Sequence, residues 1–91
     1  TPQIDVLIFQ IVKSATSMGA NVQEAYGAES KKDFIAKYSI VKKESKETNY
    51  WLRVIEDTNP GIEKRITELR QEGLEIVKII SAIIINTKGK I

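Results

Sequence analysis

The stretch SKKDFIAKYSIVKKESKETNYWLRVIED, residues 30–57, places Phe34, Tyr38, Val41, Ser45, Thr48, Leu52 and Ile55 at steps of four and three without a slip. That spacing gives one face of an α-helix, written to pack on other helices. Ser30, Lys31, Lys32 and Asp33 read as a capping box. In it the Ser30 hydroxyl is placed to accept from the amide three residues on, and the Asp33 carboxylate to return the bond. No Gly or Pro interrupts the pattern before Asn59, Pro60 and Gly61, so the helix is expected to run from Ser30 to about Asp57.

The same spacing recurs on both sides: Ile4, Ile8, Ile11, Ala15, Met18 and Val22 before it, then Ile62, Ile66, Leu69, Gly73, Ile76, Ile80 and Ile83 after it. Pro2 suits a first helical turn and Gly27 a stop, which predicts a first helix over about Gln3 to Tyr26. In its middle, Ser14, Ala15, Thr16, Ser17, Gly19 and Ala20 stand where a bundle helix usually carries Leu. Small side chains there let another backbone approach closely, or let the helix bend at Gly19. Asn59 as N-cap with Pro60 at the first helical position predicts a third helix ending near Asn86, with Thr87 to Lys90 as a frayed tail. Connections this short make neighbours antiparallel. The expected fold class is all-α: an antiparallel up-down helix bundle in one domain over residues 1–91.

Helix three has more apolar surface than two partners would cover. Besides its stripe it carries Leu74, Val77, Ile79, Ile84 and Ile85, and Lys78 is the only charge from Ile76 to Ile85. A helix apolar nearly all round is buried nearly all round. A fourth helix is therefore expected, either from residues upstream of Thr1 or from a second subunit. The chain opens on Thr1 rather than Met, which fits a bundle lacking its first helix here.

Composition narrows the chemistry by subtraction. With 42% hydrophobic and 29% charged residues the chain has the balance of a soluble globular domain. A domain this small buries only roughly 60 to 65% of its unfolded surface, so assembly with other subunits is a further source of burial. There is no Cys and no His. A disulfide framework, a thiolate zinc site and a cysteine nucleophile are thereby excluded, and the commonest general base and metal ligand are missing. We expect no enzyme, no cofactor, no metal and no small-molecule substrate, and a cytoplasmic location by default. The apolar stretch 76–85 is about half the length that spans a bilayer, so no membrane partner is expected. Fourteen basic and twelve acidic side chains leave a charge of +2, and no segment forms a polybasic arm.

Three blocks in order, Ser14-Ala-Thr-Ser-Met-Gly-Ala-Asn-Val-Gln-Glu-Ala25, Ser30-Lys-Lys-Asp-Phe-Ile35 and Lys43-Glu-Ser-Lys-Glu-Thr-Asn-Tyr-Trp-Leu52, resemble the bacterial four helix bundle family. Its members were first noted as proteins encoded by intervening sequences of 23S ribosomal RNA genes. The resemblance covers essentially the whole chain and implies a left-handed antiparallel four-helix bundle that assembles into a homopentamer, with no established catalytic activity. Family members usually carry one more helix before the position where this chain starts. A distant relative, the accessory variability protein of diversity-generating retroelements, is also a pentameric bundle and binds a reverse transcriptase and nucleic acid. This chain is less basic than that relative.

Two constellations stand out. Ser17, Asn21 and Glu24 share a face of helix one, and Glu44 and Glu47 share a face of helix two with Trp51 and Val54. Gathering the carboxylates around a divalent cation would leave an oxygen-only site, because no Glu is followed by a His. The alternative is a polar network at a helix or subunit seam, pairing the Glu residues with Asn21, Lys43, Lys46 or Arg53 and fixing register between heptad surfaces. Lys42, Lys43, Lys46 and Arg53 beside Tyr50 and Trp51 form the second constellation, a candidate RNA or DNA contact weighed against an ordinary solvated helix surface. Lys13 beside Ser17 has the spacing of a Ser and Lys dyad, which surface helices also contain by chance. The reading is of a non-enzymatic, homo-oligomeric structural or interaction module, with a nucleic-acid-associated accessory protein as the alternative.

Overall fold

A computed structural model of the chain describes residues 2–61 and 63–89. It contains three helices, α1 (Pro2–Tyr26), α2 (Lys31–Thr58) and α3 (Glu63–Gly89), and no strand among the described residues. α1 ends on two turn bonds, from the Gly27 amide to the Glu24 carbonyl and from the Ala28 amide to the Ala25 carbonyl, both at 3.1 Å. Ser30 then sits in extended backbone, and its hydroxyl accepts from the Asp33 amide at 3.0 Å. Capping of α2 is thus the bond that a Ser three residues before an acidic side chain supplies.

The junction after α2 departs from expectation. Asn59 caps the end of α2, not the start of α3: its carboxamide donates to the Ile55 carbonyl at 3.1 Å and to the Thr58 hydroxyl at 3.0 Å. Pro60 cannot continue a helix and follows a C-terminus as readily as it opens an N-terminus. Gly61 takes φ +104°, a left-handed conformation that favours Gly, and α3 starts at Glu63. The far end of α3 also differs. The helix continues through Thr87 to Gly89: the Thr87 hydroxyl donates within the helix to the Ile83 carbonyl at 2.7 Å, and Lys88 stands in the last turn, where a cation suits the helix dipole. Ile62 and Lys90 lie outside the described residues.

α2 packs against both neighbours, whereas among the described residues α1 and α3 have no backbone contact with each other. Pairings run in opposite numerical directions: Ser14 with Thr48 and Glu24 with Lys37 between α1 and α2, Arg70 with Glu56 and Gly73 with Asn49 between α2 and α3. The backbone extends 49 × 21 × 13 Å. With neighbouring axes roughly 8 to 10 Å apart, those widths fit three corners of a square, with α2 at the middle corner.

This arrangement explains which stripe residues are buried. On α2 the whole stripe is at least half-covered, with Val41 only 1% exposed, because neighbours flank it on two sides. On α1 and α3 the stripes divide. Ile66, Gly73 and Ile80 turn toward α2, while Leu69 and Ile76 remain exposed; likewise Ile8 and Ala15 stay exposed on α1 as Ser14 and Ala25 are buried against α2. The best-packed core is at one end, where Ala25, Tyr38, Val41, Ile80 and Ile84 meet Met18, Val22, Phe34, Ile35 and Ile83.

Candidate functional site

Three features of this layout can carry function. The first is an apolar groove between α1 and α3, floored by α2. Ile8, Val12, Ala15 and Gly19 repeat at steps of four, three and four along the open side of α1. Leu69, Glu72, Ile76, Ile79 and Ile83 do the same on α3, with Ile79 59% exposed. A cleft of about 260 Å³ marks the waist of this groove, lined by Ala15, Met18, Thr48, Leu52, Gly73 and Ile76 among others. Small residues keep the waist open: a Cβ at Gly19 would meet nothing within 4 Å.

The waist floor is polar and internally satisfied. Ser14, 2% exposed, shares a 2.7 Å hydrogen bond with the Thr48 hydroxyl, and Thr48 donates to the Glu44 carbonyl at 2.9 Å. Buried Ser45 donates to the Lys42 carbonyl at 2.8 Å. No buried side-chain polar atom among the described residues lacks a hydrogen-bond partner. Such a layer ties α1 to α2 and leaves no group reserved for a ligand.

The second feature is the outer side of the α1 and α2 seam. Ser17, Asn21, Glu24, Glu44 and Glu47 all lie toward it, but separate pairings serve them. The Asn21 amide donates to the Ser17 carbonyl at 2.9 Å, within α1. Glu24 pairs across the seam with Lys37 at 3.0 Å rather than with Asn21, Lys43, Lys46 or Arg53. This bond is the chief reason the Lys37 ammonium titrates above its ordinary 10.5, with the Glu24 charge next. Glu47 accepts from the Trp51 indole at 3.4 Å, one turn along α2. Lys37 was missed as a partner because its register against Glu24 depends on how α1 and α2 cross, which spacing within one helix does not specify. No group of three or more His, Cys, Asp or Glu placed to hold a metal ion occurs among the described residues.

The third feature is the outer side of the α2 and α3 seam. At roughly 3.6 residues per turn, Lys42, Lys46 and Arg53 fall within about 40° of arc on α2, and Lys43 about 60° beyond Lys46. Lys46, Tyr50, Arg53, Arg70 and Leu74 line a shallow cleft of about 230 Å³ there. Arg53 is 3.8 Å from Asp57, and Arg70 is held by Glu56 at 2.7 Å. Lys42, Lys43 and Lys46 form no ion pair among the described residues. None of these helices is long and apolar enough to cross a membrane.

Comparison with known proteins identifies a family and a similar solved structure. The family model of the 23S rRNA-intervening sequence protein matches residues 3–82. A crystal structure of a protein of unknown function from the S23 ribosomal protein family of Bacteroides thetaiotaomicron VPI-5482 is similar at 39% identity and a TM-score of 0.81, covering 87% of this chain and 73% of that one. Comparison with curated proteins finds no match.

Proposed function

The chain belongs to the family of 23S rRNA-intervening sequence proteins, and from that premise we propose that it is a non-enzymatic subunit of an oligomeric helix bundle, acting as a structural or interaction module. The observation that carries this reading is the groove, whose two walls are largely apolar stripes at heptad spacing that leave Ile8, Val12, Leu69, Ile76 and Ile79 exposed. An apolar stripe of that period fits another helix. A fourth helix, N-terminal to α1 or supplied by another subunit, completes an antiparallel up-down bundle. The exposed Val6, Phe9, Leu74 and Ile85, which point away from the groove, support further association into a homo-oligomer, a pentamer by resemblance. Sedimentation equilibrium at micromolar concentration tests this: one defined oligomer is expected, and a monodisperse monomer overturns it.

A second reading, a nucleic-acid-associated accessory protein, is favoured by Lys42, Lys46 and Arg53 lining one arc beside the exposed Tyr50. Retention of structured RNA or duplex DNA that falls steeply with salt supports it. Absence of retention at low salt rejects it.

A further inference from the structure

We propose that the two outer seams are the complementary halves of one subunit interface, so that Glu44, Glu47, Trp51 and Val54 of one copy dock on Lys42, Lys46, Arg53, Tyr50 and Leu74 of the next. The inference rests on the oligomer reading and names its contact surfaces. Its ground is a division of charge across α2. Glu44, Glu47, Trp51 and Val54 occupy the flank of α2 beside α1, and Lys42, Lys46 and Arg53 the flank beside α3; at roughly 3.6 residues per turn the two strips stand about 150° apart. Glu44, Glu47, Lys42 and Lys46 have no ion-pair partner among the described residues, so each strip carries charge that its own molecule does not neutralise.

Both strips also offer apolar anchors. Trp51 and Val54 are only half-buried beside the two acids, while Tyr50 and Leu74 are more than half exposed beside the bases. Tyr50 and Trp51 meet edge to face, with ring centroids 5.0 Å apart, and form the ridge where the strips join. Aromatic side chains surrounded by opposite charges are the composition of a subunit contact, with the rings as anchors and the charges setting orientation. A polyanion on the basic strip would instead lie beside Asp57, whose carboxylate is 3.8 Å from Arg53 and repels phosphate.

Because the strips are different surfaces of one molecule, the contact is heterologous: each copy gives its acidic strip to one neighbour and its basic strip to the other. Repetition of such a contact closes into a ring or runs on as a filament according to the rotation between copies. The apolar groove between α1 and α3 takes no part in it.

Trp51 is the single tryptophan, so the unmodified protein reports on this contact. Dilution through dissociation should shift its emission to longer wavelength in step with the fall in mass; dissociation without that shift overturns the proposal. Charge reversal gives the second test, on the full chain, with far-UV circular dichroism confirming retained helix. Glu44→Lys with Glu47→Lys, and separately Lys46→Glu with Arg53→Glu, should each weaken assembly by roughly 100-fold or more, since like charges then face each other. Mixing the two variants should restore association, because acid again meets base wherever the two alternate; a ring with an odd number of copies keeps one like-charged contact and is restored only in part. Variants that assemble like the parent, or that stay apart when mixed, overturn the proposal even if the parent is oligomeric. A monomeric parent removes the oligomer reading itself. Loss of RNA retention in the Lys46→Glu, Arg53→Glu variant with assembly unchanged assigns the basic strip to nucleic acid and overturns the proposal as well.

Discussion

Two contacts at the waist set how closely the helices approach. Ser14 is buried, with its hydroxyl 2.7 Å from the Thr48 hydroxyl and 3.2 Å from the Ile11 carbonyl, to which it can donate. Thr48→Val keeps the volume and removes the hydrogen bond across the seam while Ile11 still accepts from Ser14, so it should cost about 0.5 to 1.5 kcal/mol, the net worth of one hydrogen bond. A double-mutant cycle with Ser14→Ala, read by urea unfolding, should show a coupling of about 0.5 to 1.5 kcal/mol. Gly73 lies under the Asn49 carboxamide, and a Cβ there would overlap it. Two effects oppose each other at this position. Ala gains roughly 1 kcal/mol over Gly in helix propensity, while forcing an extra carbon into a packed seam costs roughly 1 to 3 kcal/mol. The atoms in the way are the far end of the Asn49 side chain, which can swing aside, so Gly73→Ala should be neutral to stabilising by up to about 1 kcal/mol, and the gain should be clearer in an Asn49→Ala background. A loss of equal size in both backgrounds would place the clash elsewhere.

Helices are joined at their ends by ion pairs of unequal worth. Lys37 and Glu24 tie α1 to the first turns of α2, and the Lys37 ammonium is held above its ordinary 10.5 by that hydrogen bond. A cation whose pKa is raised on folding contributes stability that is full below the unfolded value and lost as pH rises through the folded one. Urea midpoints should thus fall more steeply above about pH 10.5 in the parent than in Lys37→Met; parallel curves would deny the pair any role. At the other end Glu56 accepts from Arg70 at 2.7 Å and from Thr67 at 2.8 Å, with its side chain 18% exposed. Glu56→Gln keeps the shape and removes the charge, and partial exposure holds the expected loss to about 0.5 to 1 kcal/mol. At this scale the sequence was legible where one helix decides its own fate. Ser30 capped α2 as its spacing required, and the α2 stripe was at least half-covered throughout because neighbours lie on both flanks. Asn59 misled because an Asn-Pro-Gly run serves a helix end as well as a start, and the Ile55 carbonyl claimed its carboxamide. Ile8 and Leu69 obey the same heptad rule as Ile11 and Ile66 yet remain exposed, since which edge of a stripe meets a neighbour depends on how the helices are placed around one another.

At the scale of the molecule, three corners of a square leave an apolar channel whose walls were readable as stripes and whose filling was readable only as a surplus on α3. The pattern between Ile76 and Ile85 showed excess apolar surface but not its direction. The structure divides that excess: Ile80 and Ile84 are buried with the core, Ile76 and Ile79 border the groove, and Ile85 points outward. That division makes the four-helix reading testable on single side chains. In this three-helix arrangement Ile76 is 45% exposed, so Ile76→Asp would lose about half the burial of an isoleucine, roughly 1 to 1.5 kcal/mol, besides a helix-propensity cost of up to about 0.7 kcal/mol. With a helix seated in the groove the same change buries a carboxylate against apolar neighbours. The cost then rises to several kcal/mol, or the carboxyl stays protonated at pH 7. Ala82, exposed on the far side of α3, supplies the control for propensity and net charge, since Ala82→Asp adds the same acid away from the groove. We expect urea unfolding of the assembled protein to show Ile76→Asp at least about 3 kcal/mol less stable than Ala82→Asp, with the gap narrowing as pH falls and the buried acid becomes neutral. A gap of only about 1 to 1.5 kcal/mol, the same at every pH, would mean that water fills the groove.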